Sequence, residues 1–593
     1  LANLVIGVVL LIFSYKNPLV IALSILFIIT PGVMGVISKK QKKVFPIEVL
    51  NYQEKEYVKE IRQKTWVFFK ENINEKTNYL PPDNYQEDRK EQIVYRTSST
   101  NIGLGLLAVV ASYDLGYETL EDTINLLSKM IDTISKFEKW NGHLYNWYDI
   151  QTLKPLVPKY VSTVDSGNFV GYLYTLKQFL EDVQSGETVG EELKQTVNET
   201  DTENRKEEII NNRSEEEKGN ENTETEQEAI REKRKREELT EKINLMLQII
   251  DNTIENTDFS YLYSKENRIF SIGFNVEDNA LTPSYYDLLA SEARQASLVA
   301  IAKKDVPAKH WNNLSRTLTI LNKYKGLISW SGTAFEYLMP NINIPKYPGS
   351  IINESSLFAI MSQQEYAKKL GIPWGISEAA FNLRDLNNNY QYKAFGVPWL
   401  GLKRGLADEM VVSSYGTILA INDYPIETIQ NLKLLEKDGM YDKYGFYESI
   451  DYTPSRLKKG EKSEVVKTYM AHHQGLILLS IDNLFNKNIL QKRFMQNPEM
   501  QSVEILLEEK MPANVIITKE QKEKVEKVKN VDYETYAVRE FNKPYDKVNH
   551  INVISNEDYS VIIDQKGDGY SKYKNIVINR FKQTDDVQQG IYF

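Results

Sequence analysis

The chain has 593 residues, which is long enough for several domains and for a large buried core. Its formal net charge of −10 argues against nucleic acid as the main partner, because phosphate binding depends on clustered Lys and Arg. The sequence has no Cys, which excludes disulfides, thiolate metal sites and a Cys nucleophile. With only five His we also expect no metal and no cofactor, while 37 Tyr fit a protein that binds carbohydrate.

The first 43 residues contain two apolar runs, Leu1–Ser14 and Leu19–Ser38, separated by a short turn-forming sequence. At about 1.5 Å per residue, the second run spans roughly the 30 Å hydrocarbon layer of a bilayer. The basic sequence Lys39–Lys43 follows at once, and by the positive-inside rule it places the downstream chain in the cytoplasm. We therefore predict a transmembrane hairpin with a basic stop over residues 1–43, rather than a buried core hairpin, in a segment of a longer membrane protein.

Apolar residues recur at helical spacing through two long regions, residues 44–185 and 229–510. Connections rich in Pro, Gly and aromatic residues divide the second region, which is typical of helices whose loops gather at one end. We therefore predict an all-α-dominated fold in which the two regions form one helical toroid.

The region between them is highly charged, with 23 charged residues among the 40 from 201 to 240. Such a stretch buries too little apolar surface to offset the entropy lost on ordering. We predict a disordered insertion over residues 186–228, followed by a charged helix from Ala229 to Ile250 that re-enters the fold.

In the last part of the chain, residues 511–593, apolar residues recur at every second position, which is the spacing of a β-strand. Tyr559, Val561 and Ile563 alternate with their neighbours, and a second apolar stretch, Ile576–Ile578, follows a Gly-rich turn. We predict a linker and then the first strands of a β-rich domain.

Three glutamates, Glu292, Glu378 and Glu448, lie among aromatic and small residues rather than on charged faces. Cleavage of a glycosidic bond needs one protonated carboxyl and one ionised carboxyl, and an apolar environment raises a carboxyl pKa as the acid requires. The alternatives are an ion pair between Glu292 and Arg294 and a helix-capping role for Glu378.

Aromatic and polar residues also alternate in Trp140–Asp149, which is typical either of a sugar-binding wall or of an aromatic core edge. Paired histidines, His472 and His473, have no spaced carboxylates that would indicate a metal site. No Gly-x-Ser-x-Gly elbow and no Gly-rich phosphate loop occurs, so neither a serine triad nor nucleotide binding is indicated.

Eight sequence blocks go beyond composition, and they occur in one order along the chain. Together they closely resemble the middle region of bacterial cyclic β-1,2-glucan synthases. The blocks are Tyr95–Gly103, His143–Asp149, Tyr160–Asn168, Ser329–Pro340, Trp374–Glu378, Tyr444–Glu448, Asp451–Arg456 and Ala471–Gly475.

This resemblance implies an (α/α)6 cyclisation domain of the glucoamylase-like type, in a bacterial inner membrane protein with further modules in the same chain. It implies linear β-1,2-glucan as the substrate of a retaining transglycosylase. The region is also similar to endo-β-1,2-glucanases, whose acid lies on a helix before an Ala-rich stretch and a Pro, and Glu292 occupies the matching place before Ala296–Pro307. We therefore assign Glu292 as general acid/base and Glu378 as nucleophile. We assign substrate binding to Trp147, Asp165, Tyr286, Asp287, Arg294, Glu336, Trp374, Tyr447 and Glu448.

Two other interpretations remain open from the sequence. One is an inverting endo-β-1,2-glucanase, in which water attacks and a second acid, Glu448 or Asp165, serves as base. The other is a non-catalytic module that holds glucan for its neighbours.

Overall fold

The computed structural model describes residues 2–13, 16–37, 45–186, 215–322, 324–385, 388–512, 550–556, 558–565 and 567–578. The chain divides into two compact units, Leu1–Val528 and Lys529–Phe593. The larger unit is dominated by helices, as the sequence predicted.

The helices of the described chain vary in length from one turn to more than ten turns. In chain order they are α1 (Ala2–Phe13), α2 (Pro18–Ile37), α3 (Pro46–Val49), α4 (Tyr52–Asn72), α5 (Ser99–Asp114), α6 (Leu120–Ser135), α7 (Thr163–Ser185), α8 (Glu215–Asn256), α9 (Arg294–Ala302), α10 (Lys309–Asn313), α11 (Ala334–Leu338), α12 (Ile351–Leu370), α13 (Ser414–Ile418), α14 (Pro425–Lys437), α15 (Ala471–Phe485), α16 (Ile489–Gln496) and α17 (Pro498–Ser502).

Short antiparallel strands occupy many of the connections that the sequence placed in aromatic-rich loops. They are β1 (Asn84–Gln86), β2 (Arg96–Thr97), β3 (Lys139–Trp140), β4 (His143–Leu144), β5 (Tyr148–Asp149), β6 (Tyr160–Ser162), β7 (Tyr263–Ser264), β8 (Ile269–Ser271), β9 (Gly273–Asn275), β10 (Ala280–Leu281), β11 (Tyr285–Tyr286), β12 (Leu318–Leu321), β13 (Tyr324–Leu327), β14 (Ala379–Arg384), β15 (Tyr390–Lys393), β16 (Val411–Ser413), β17 (Tyr441–Asp442), β18 (Gly445–Phe446), β19 (Ser449–Asp451), β20 (Glu464–Val466) and β21 (Thr468–Met470).

Pairing between distant strands joins the two ends of the helical unit. Strand β1 pairs with β21, so that Asn84 lies opposite Met470. Strand β6 pairs with β9, and β16, β19 and β20 form one three-stranded sheet. Because these pairs link segments that are far apart in sequence, they gather loops from both helical regions at one place.

A Ser or Thr side chain caps the N-terminus of four helices in this unit. Ser98 caps α5 and Ser162 caps α7, each accepting a hydrogen bond from a backbone N–H in the first turn. Thr333 caps α11, and Ser350 caps α12 in the same way. Such caps satisfy amides that have no partner within the helix, and they fix where each helix starts.

Helix α5 forms the centre of the hydrophobic core and packs against both α7 and α15. Its close contacts depend on glycine: a Cβ at Gly103 would lie 2.6 Å from the ring of Tyr172 on α7. A buried ion pair, Arg493 Nη2 to Asp114 Oδ1 at 2.8 Å, links α16 to the C-terminal end of α5. The core therefore combines apolar packing with one fully enclosed charge pair.

The packing of α7 on α9 is closer still. A Cβ at Gly167 would lie 2.2 Å from the Cβ of Ala296, so only glycine fits at this position. Asp165 lies two residues before this contact on α7, and Glu292 lies two residues before the start of α9. The contact therefore brings the neighbourhoods of these two carboxyls together.

The N-terminal apolar runs form two helices that pack against each other, α1 of 12 residues and α2 of 20 residues with Pro31 inside it. Across the described residues, no helix combines the length and the apolar character needed to span a bilayer. The predicted transmembrane segment is therefore not supported, and the basic stop lies outside the described residues.

Of the predicted insertion, residues 187–214 lie outside the described residues. The helix that re-enters the fold, α8, begins at Glu215 rather than at Ala229, so the predicted disorder does not hold for residues 215–228. Glutamate-rich sequence has good helix propensity, and a helix extends more easily than it nucleates, so the packed C-terminal half supports the charged N-terminal half. That packed half lies against α6 and α7.

The smaller unit has the predicted strands. They form one antiparallel sheet with the order β22 (Ile551–Ser555), β23 (Tyr559–Asp564), β24 (Gly569–Tyr573) and β25 (Ile576–Val577). The predicted linker between residue 513 and residue 549 lies outside the described residues.

A buried carboxylate organises the start of α11. Glu336 accepts hydrogen bonds from Ser329 Oγ at 2.8 Å, Ser331 N at 2.9 Å and Thr333 N at 2.9 Å. The guanidinium of Arg294 donates to the backbone carbonyl of the same residue at 3.1 Å and so joins α9 to this loop. Glu336 and Arg294, both predicted to bind substrate, are therefore occupied by contacts within the fold.

We expect Glu336→Ala to lower the free energy of unfolding by about 3 kcal/mol, because it leaves several buried donors without an acceptor. Urea denaturation followed by circular dichroism measures this loss. The matched control is Glu427→Ala, which removes an exposed carboxylate from the first turn of α14 and should cost less than about 1 kcal/mol. Equal costs for the two variants would contradict the structural role of Glu336.

Candidate active site

A cavity of about 330 Å³ lies among the loops of the helical unit. Five of the residues predicted for the site line it: Trp147, Asp165, Tyr286, Glu292 and Glu378. The other lining residues are Asp83, Arg96, Ser98, Thr100, Asn146, Ser162, Val164, Asn168, Phe335, Tyr392, Met470 and His472.

Glu292 lies in the turn that leads into α9, and its side chain is half-buried. Ser291 Oγ donates a hydrogen bond to its carboxyl at 3.2 Å. Burial, followed by the charge of Glu336, raises the pKa of Glu292 to about 7, while its own helix-start amide and Arg294 oppose the rise. The group is therefore poised near neutral pH.

Glu378 is also half-buried, and it lies between a Gly-containing loop and β14. Its carboxyl accepts a hydrogen bond from the Tyr392 hydroxyl at 3.0 Å, and its carbonyl accepts one from Tyr415 at 2.7 Å. Burial, followed by the charge of Glu292, raises the pKa of Glu378 to about 8. Each of the two carboxyls thus makes ionisation of the other less favourable.

Asp165 lies in the first turn of α7 and lines the same cavity. It accepts a short hydrogen bond from Thr100 Oγ1 at 2.6 Å. When the amide of Asn146 is oriented to suit its neighbours, its nitrogen donates to Asp165 at 3.2 Å and its oxygen accepts from the indole of Trp147. Burial raises the pKa of Asp165, which leaves a third acidic group facing the ligand space.

One wall of the cavity depends on residues that the sequence analysis did not single out. Arg96 binds the buried carboxylate of Asp83 at 2.8 Å and lies over the indole ring of Trp147, 4.3 Å from its centroid. Asp83 reaches the cavity through the β1–β21 pairing, which no local pattern indicates. Tyr392 was missed for a related reason, because only the β14–β15 hairpin turns it toward Glu378.

Several predicted binding residues lie away from the cavity. Asp287 is exposed, and its backbone carbonyl accepts from Ser315 N. Trp374 is buried, and its backbone is held by the Asn431 amide at 3.0 Å and 2.7 Å. Tyr447 is buried, and its hydroxyl donates to acidic side chains rather than to the ligand space.

Glu448 is also enclosed, with 2% of its surface exposed. Both of its carboxyl oxygens contact Nδ1 of His473, at 2.8 and 2.9 Å. It therefore lies behind the cavity wall and is not placed to hold an attacking water against a substrate.

Within the residues that the structure describes, no group of three or more His, Asp or Glu side chains is arranged to hold a metal ion. The carboxyls that line the cavity can themselves carry acid–base chemistry. Two half-buried glutamates with raised pKa values, backed by a third acid and an aromatic wall, can supply one proton donor and one ionised group near neutral pH.

Two family models match the chain. The Glycoamylase model, described as "Putative glucoamylase", matches residues 284–498. The model for the supersandwich domain of glycosyl hydrolase 94 matches residues 534–591. The first match contains Glu292 and Glu378, and the second contains the sheet of the smaller unit.

Solved structures share the fold of the helical unit. An endo-β-1,2-glucanase from Chitinophaga pinensis, in complex with sophorotriose and glucose, has a TM-score of 0.57 and 15% identity over 78% of this chain and 99% of its own. An endo-β-1,2-glucanase from Talaromyces funiculosus with sophorose has a TM-score of 0.53 and 11% identity over 78% of this chain and 93% of its own. The helical unit therefore has a glucoamylase-like fold, as predicted.

A curated relative matches most of the chain. The cyclic β-(1,2)-glucan synthase NdvB of Rhizobium meliloti (strain 1021) is 33% identical over 596 aligned positions, which include 89% of this chain. The chain spans about a fifth of the length of that relative, 21%. The resemblance to cyclic β-1,2-glucan synthases that the sequence blocks indicated is thus confirmed, with a glucoamylase-like region followed by a supersandwich region.

Proposed function

We propose that the helical unit is an (α/α)6-type retaining transglycosylase that closes linear β-1,2-glucan into rings. The observation that carries this proposal is the pair Glu292 and Glu378, two half-buried carboxyls with raised pKa values on one cavity. The similarity to a cyclic β-(1,2)-glucan synthase supports the product, and the solved complexes with sophorotriose and sophorose support the linkage. Further modules of a synthase chain are the expected partners.

The stereochemistry of ring closure requires two displacements. A β-linked chain that closes into a β-linked ring keeps its anomeric configuration, so one carboxylate first attacks the anomeric carbon and forms a glycosyl-enzyme. The other carboxyl donates its proton to the leaving oxygen. It then removes the proton from the hydroxyl at the non-reducing end of the same chain, which displaces the enzyme. Tethering favours this hydroxyl over water because it raises the effective concentration of the acceptor.

The surroundings of the two glutamates support Glu292 as acid/base and Glu378 as nucleophile, the roles assigned from the sequence. Burial and the charge of Glu336 raise the pKa of Glu292 to about 7, so this carboxyl can hold a proton near neutral pH. The hydroxyl of Tyr392 donates a hydrogen bond to the carboxyl of Glu378 at 3.0 Å, which favours its ionised form. An acid must hold its proton while the nucleophile is already ionised.

A second candidate function is an inverting endo-β-1,2-glucanase. Asp165 lines the cavity with the two glutamates and could activate a water, and two of the similar solved structures are endo-β-1,2-glucanases. Glu448, the other base considered from the sequence, is enclosed behind the wall. Asp165 is therefore the base that this alternative requires.

Incubation of the protein with linear β-1,2-glucan tests the proposal directly. We expect mass spectrometry to show products one water lighter than linear chains of the same length, because ring closure replaces water with an internal hydroxyl. Reducing-end assays should show no increase beyond the fragments released at closure. A steady rise in reducing ends without any ring product would instead establish the glucanase.

Azide separates the two catalytic roles. With an aryl β-1,2-glucoside that has a good leaving group, Glu378→Gly should give the α-glycosyl azide, because azide replaces the missing nucleophile. Under the same conditions Glu292→Gln should give the β-azide, because azide attacks the glycosyl-enzyme. NMR coupling at the anomeric proton distinguishes the products. The opposite anomers would exchange the two roles.

The pH dependence of kcat/KM should be bell-shaped with its maximum between about pH 7 and pH 8. Activity requires one proton on the pair, with Glu378 ionised and Glu292 protonated. It should fall below about pH 7, where the pair takes up a second proton, and above about pH 8, where it loses its last one. Because the two groups interact, the limbs report the pair. A maximum near pH 4 to 5 would contradict the raised pKa values.

A further inference from the structure

The cavity contains one guanidinium group that neither displacement step requires. Arg96, the first residue of β2, is the only Arg or Lys among the described residues that line the cavity, and 46% of its side chain is exposed. The groups that mainly shift the pKa values of Glu292, Glu378 and Asp165 do not include it. Its charge is therefore not directed at the reacting carboxyls.

A buried carboxylate holds this guanidinium in place. Nε of Arg96 donates to Asp83 Oδ2 at 2.9 Å, and Nη2 lies 2.8 Å from the same oxygen. Only 1% of the Asp83 side chain is exposed. The backbone of Asp83 is anchored as well, because its N–H donates to Val94 O at 3.2 Å and its carbonyl accepts from Ala471 N at 2.9 Å. An anchored, buried anion fixes the position of its cationic partner.

An aromatic ring restricts the guanidinium further. Cζ of Arg96 lies 4.3 Å from the centroid of the Trp147 indole. Arginine packs favourably on aromatic faces, because its delocalised charge is weakly hydrated and is attracted by the ring. With a carboxylate and a ring as fixed contacts, the guanidinium is preorganised, so little conformational entropy is lost when a ligand binds to it.

Part of the hydrogen-bonding capacity of Arg96 is left for a ligand. A guanidinium has five N–H donors, and Asp83 engages those of Nε and one side of Nη2. Across the part of the chain that the structure describes, neither hydrogen of Nη1 has a protein acceptor. Because Asp165, Glu292 and Glu378 line the same cavity, an anionic ligand is disfavoured there. The fitting acceptor is a neutral hydroxyl group.

We propose that Arg96 is a specificity-determining residue that donates a hydrogen bond from Nη1 to a free hydroxyl of the bound glucan, and that Asp83 is its positioning residue. The inference rests on the proposed function, because it takes β-1,2-glucan as the ligand. In an internal unit of that chain, O1 and O2 form the glycosidic bonds, so only the hydroxyls at carbons 3, 4 and 6 remain. Arg96 binds one of these three.

Deoxy derivatives of sophorotriose, each without the hydroxyl at carbon 3, 4 or 6 of one unit, test the proposal. Isothermal titration calorimetry uses the full chain with Glu378→Gln, so that no turnover disturbs binding. We expect one derivative to bind about tenfold more weakly than sophorotriose, because the charged donor loses its acceptor. With Arg96→Gln added, sophorotriose itself should bind about tenfold more weakly, and that derivative should bind as well as sophorotriose does.

Two results would overturn the role of Arg96. An equal loss of affinity for sophorotriose and for every deoxy derivative would show a general disturbance of the cavity rather than a lost hydrogen bond. Undiminished affinity for sophorotriose in the Arg96→Gln protein would show that the guanidinium does not contact the glucan.

Asp83→Asn tests the positioning role and keeps the shape of the side chain. Asp83 Oδ1 has no hydrogen-bond partner among the described residues, so an amide nitrogen in its place displaces no existing bond. The charge that fixes Arg96 is lost, while a neutral acceptor remains. We expect discrimination against the same derivative to fall from about tenfold to about threefold. Unchanged discrimination in this variant would overturn the positioning role.

Two further variants separate recognition from folding. Arg96→Gln leaves the buried Asp83 without its partner, so the double variant with Asp83→Asn removes both charges and should lose the discrimination in a folded protein. The matched control is Arg384→Gln. Arg384 also pairs with an aspartate, Asp88, and lies 4.4 Å from the ring centroid of Tyr390, but it does not line the cavity. Its discrimination should equal that of the native chain, and a loss there would overturn the assignment to Arg96.

The outcomes separate this inference from the proposed function. The expected discrimination in a protein that neither cleaves nor cyclises β-1,2-glucan would refute the function and leave the inference in place. Ring formation without discrimination that depends on Arg96 would overturn the inference alone. No binding of sophorotriose by the Glu378→Gln chain would also overturn the inference, while the products of the native protein would still decide the function.

Discussion

The central constraint on this molecule is the mutual repulsion of two carboxyls that share one poorly hydrated cavity. Burial raises the pKa of both Glu292 and Glu378, and the charge of Glu292 raises that of Glu378 further, so the surrounding residues decide which one carries the charge. The Tyr392 hydroxyl donates to Glu378 and favours charge there, while burial and the charge of Glu336 favour the protonated form of Glu292. Neighbouring polar and charged groups thus influence which of the two carboxyls is ionised.

The fold meets that constraint by bringing together segments that are far apart in sequence. Helix contacts place α7, α9 and α15 around the cavity, and short strand pairs fix the loops between them. The buried polar residues Glu336 and Arg294 stabilise these loops through hydrogen bonds to backbone groups. Residues that the sequence suggests as substrate-binding can therefore instead stabilise the loops that carry the substrate-binding residues.

The sequence predicted what depends on local pattern or on recognisable blocks. It identified the helical character, the strands of the smaller unit and five residues that line the cavity. Trp147, Asp165 and Glu378 lie in recognisable blocks, and Glu292 was singled out by its aromatic and small neighbours. It did not identify Asp83 or Tyr392, whose positions depend on strand pairing across the fold. It also assigned Glu448 to substrate binding. An acidic residue among aromatic residues has the same sequence pattern whether it faces a cavity or, as here, a buried histidine.

The glycine contact between α7 and α9 limits how such a site can be altered. Gly167 is already the smallest residue, and it lies directly against Ala296. A larger side chain at either position therefore cannot be accommodated by a smaller one at the other. The two helices are therefore expected to be inherited as a matched pair. A wider cleft for a different sugar would therefore have to come from residues outside this helix pair, such as those on the hairpin that carries Tyr392.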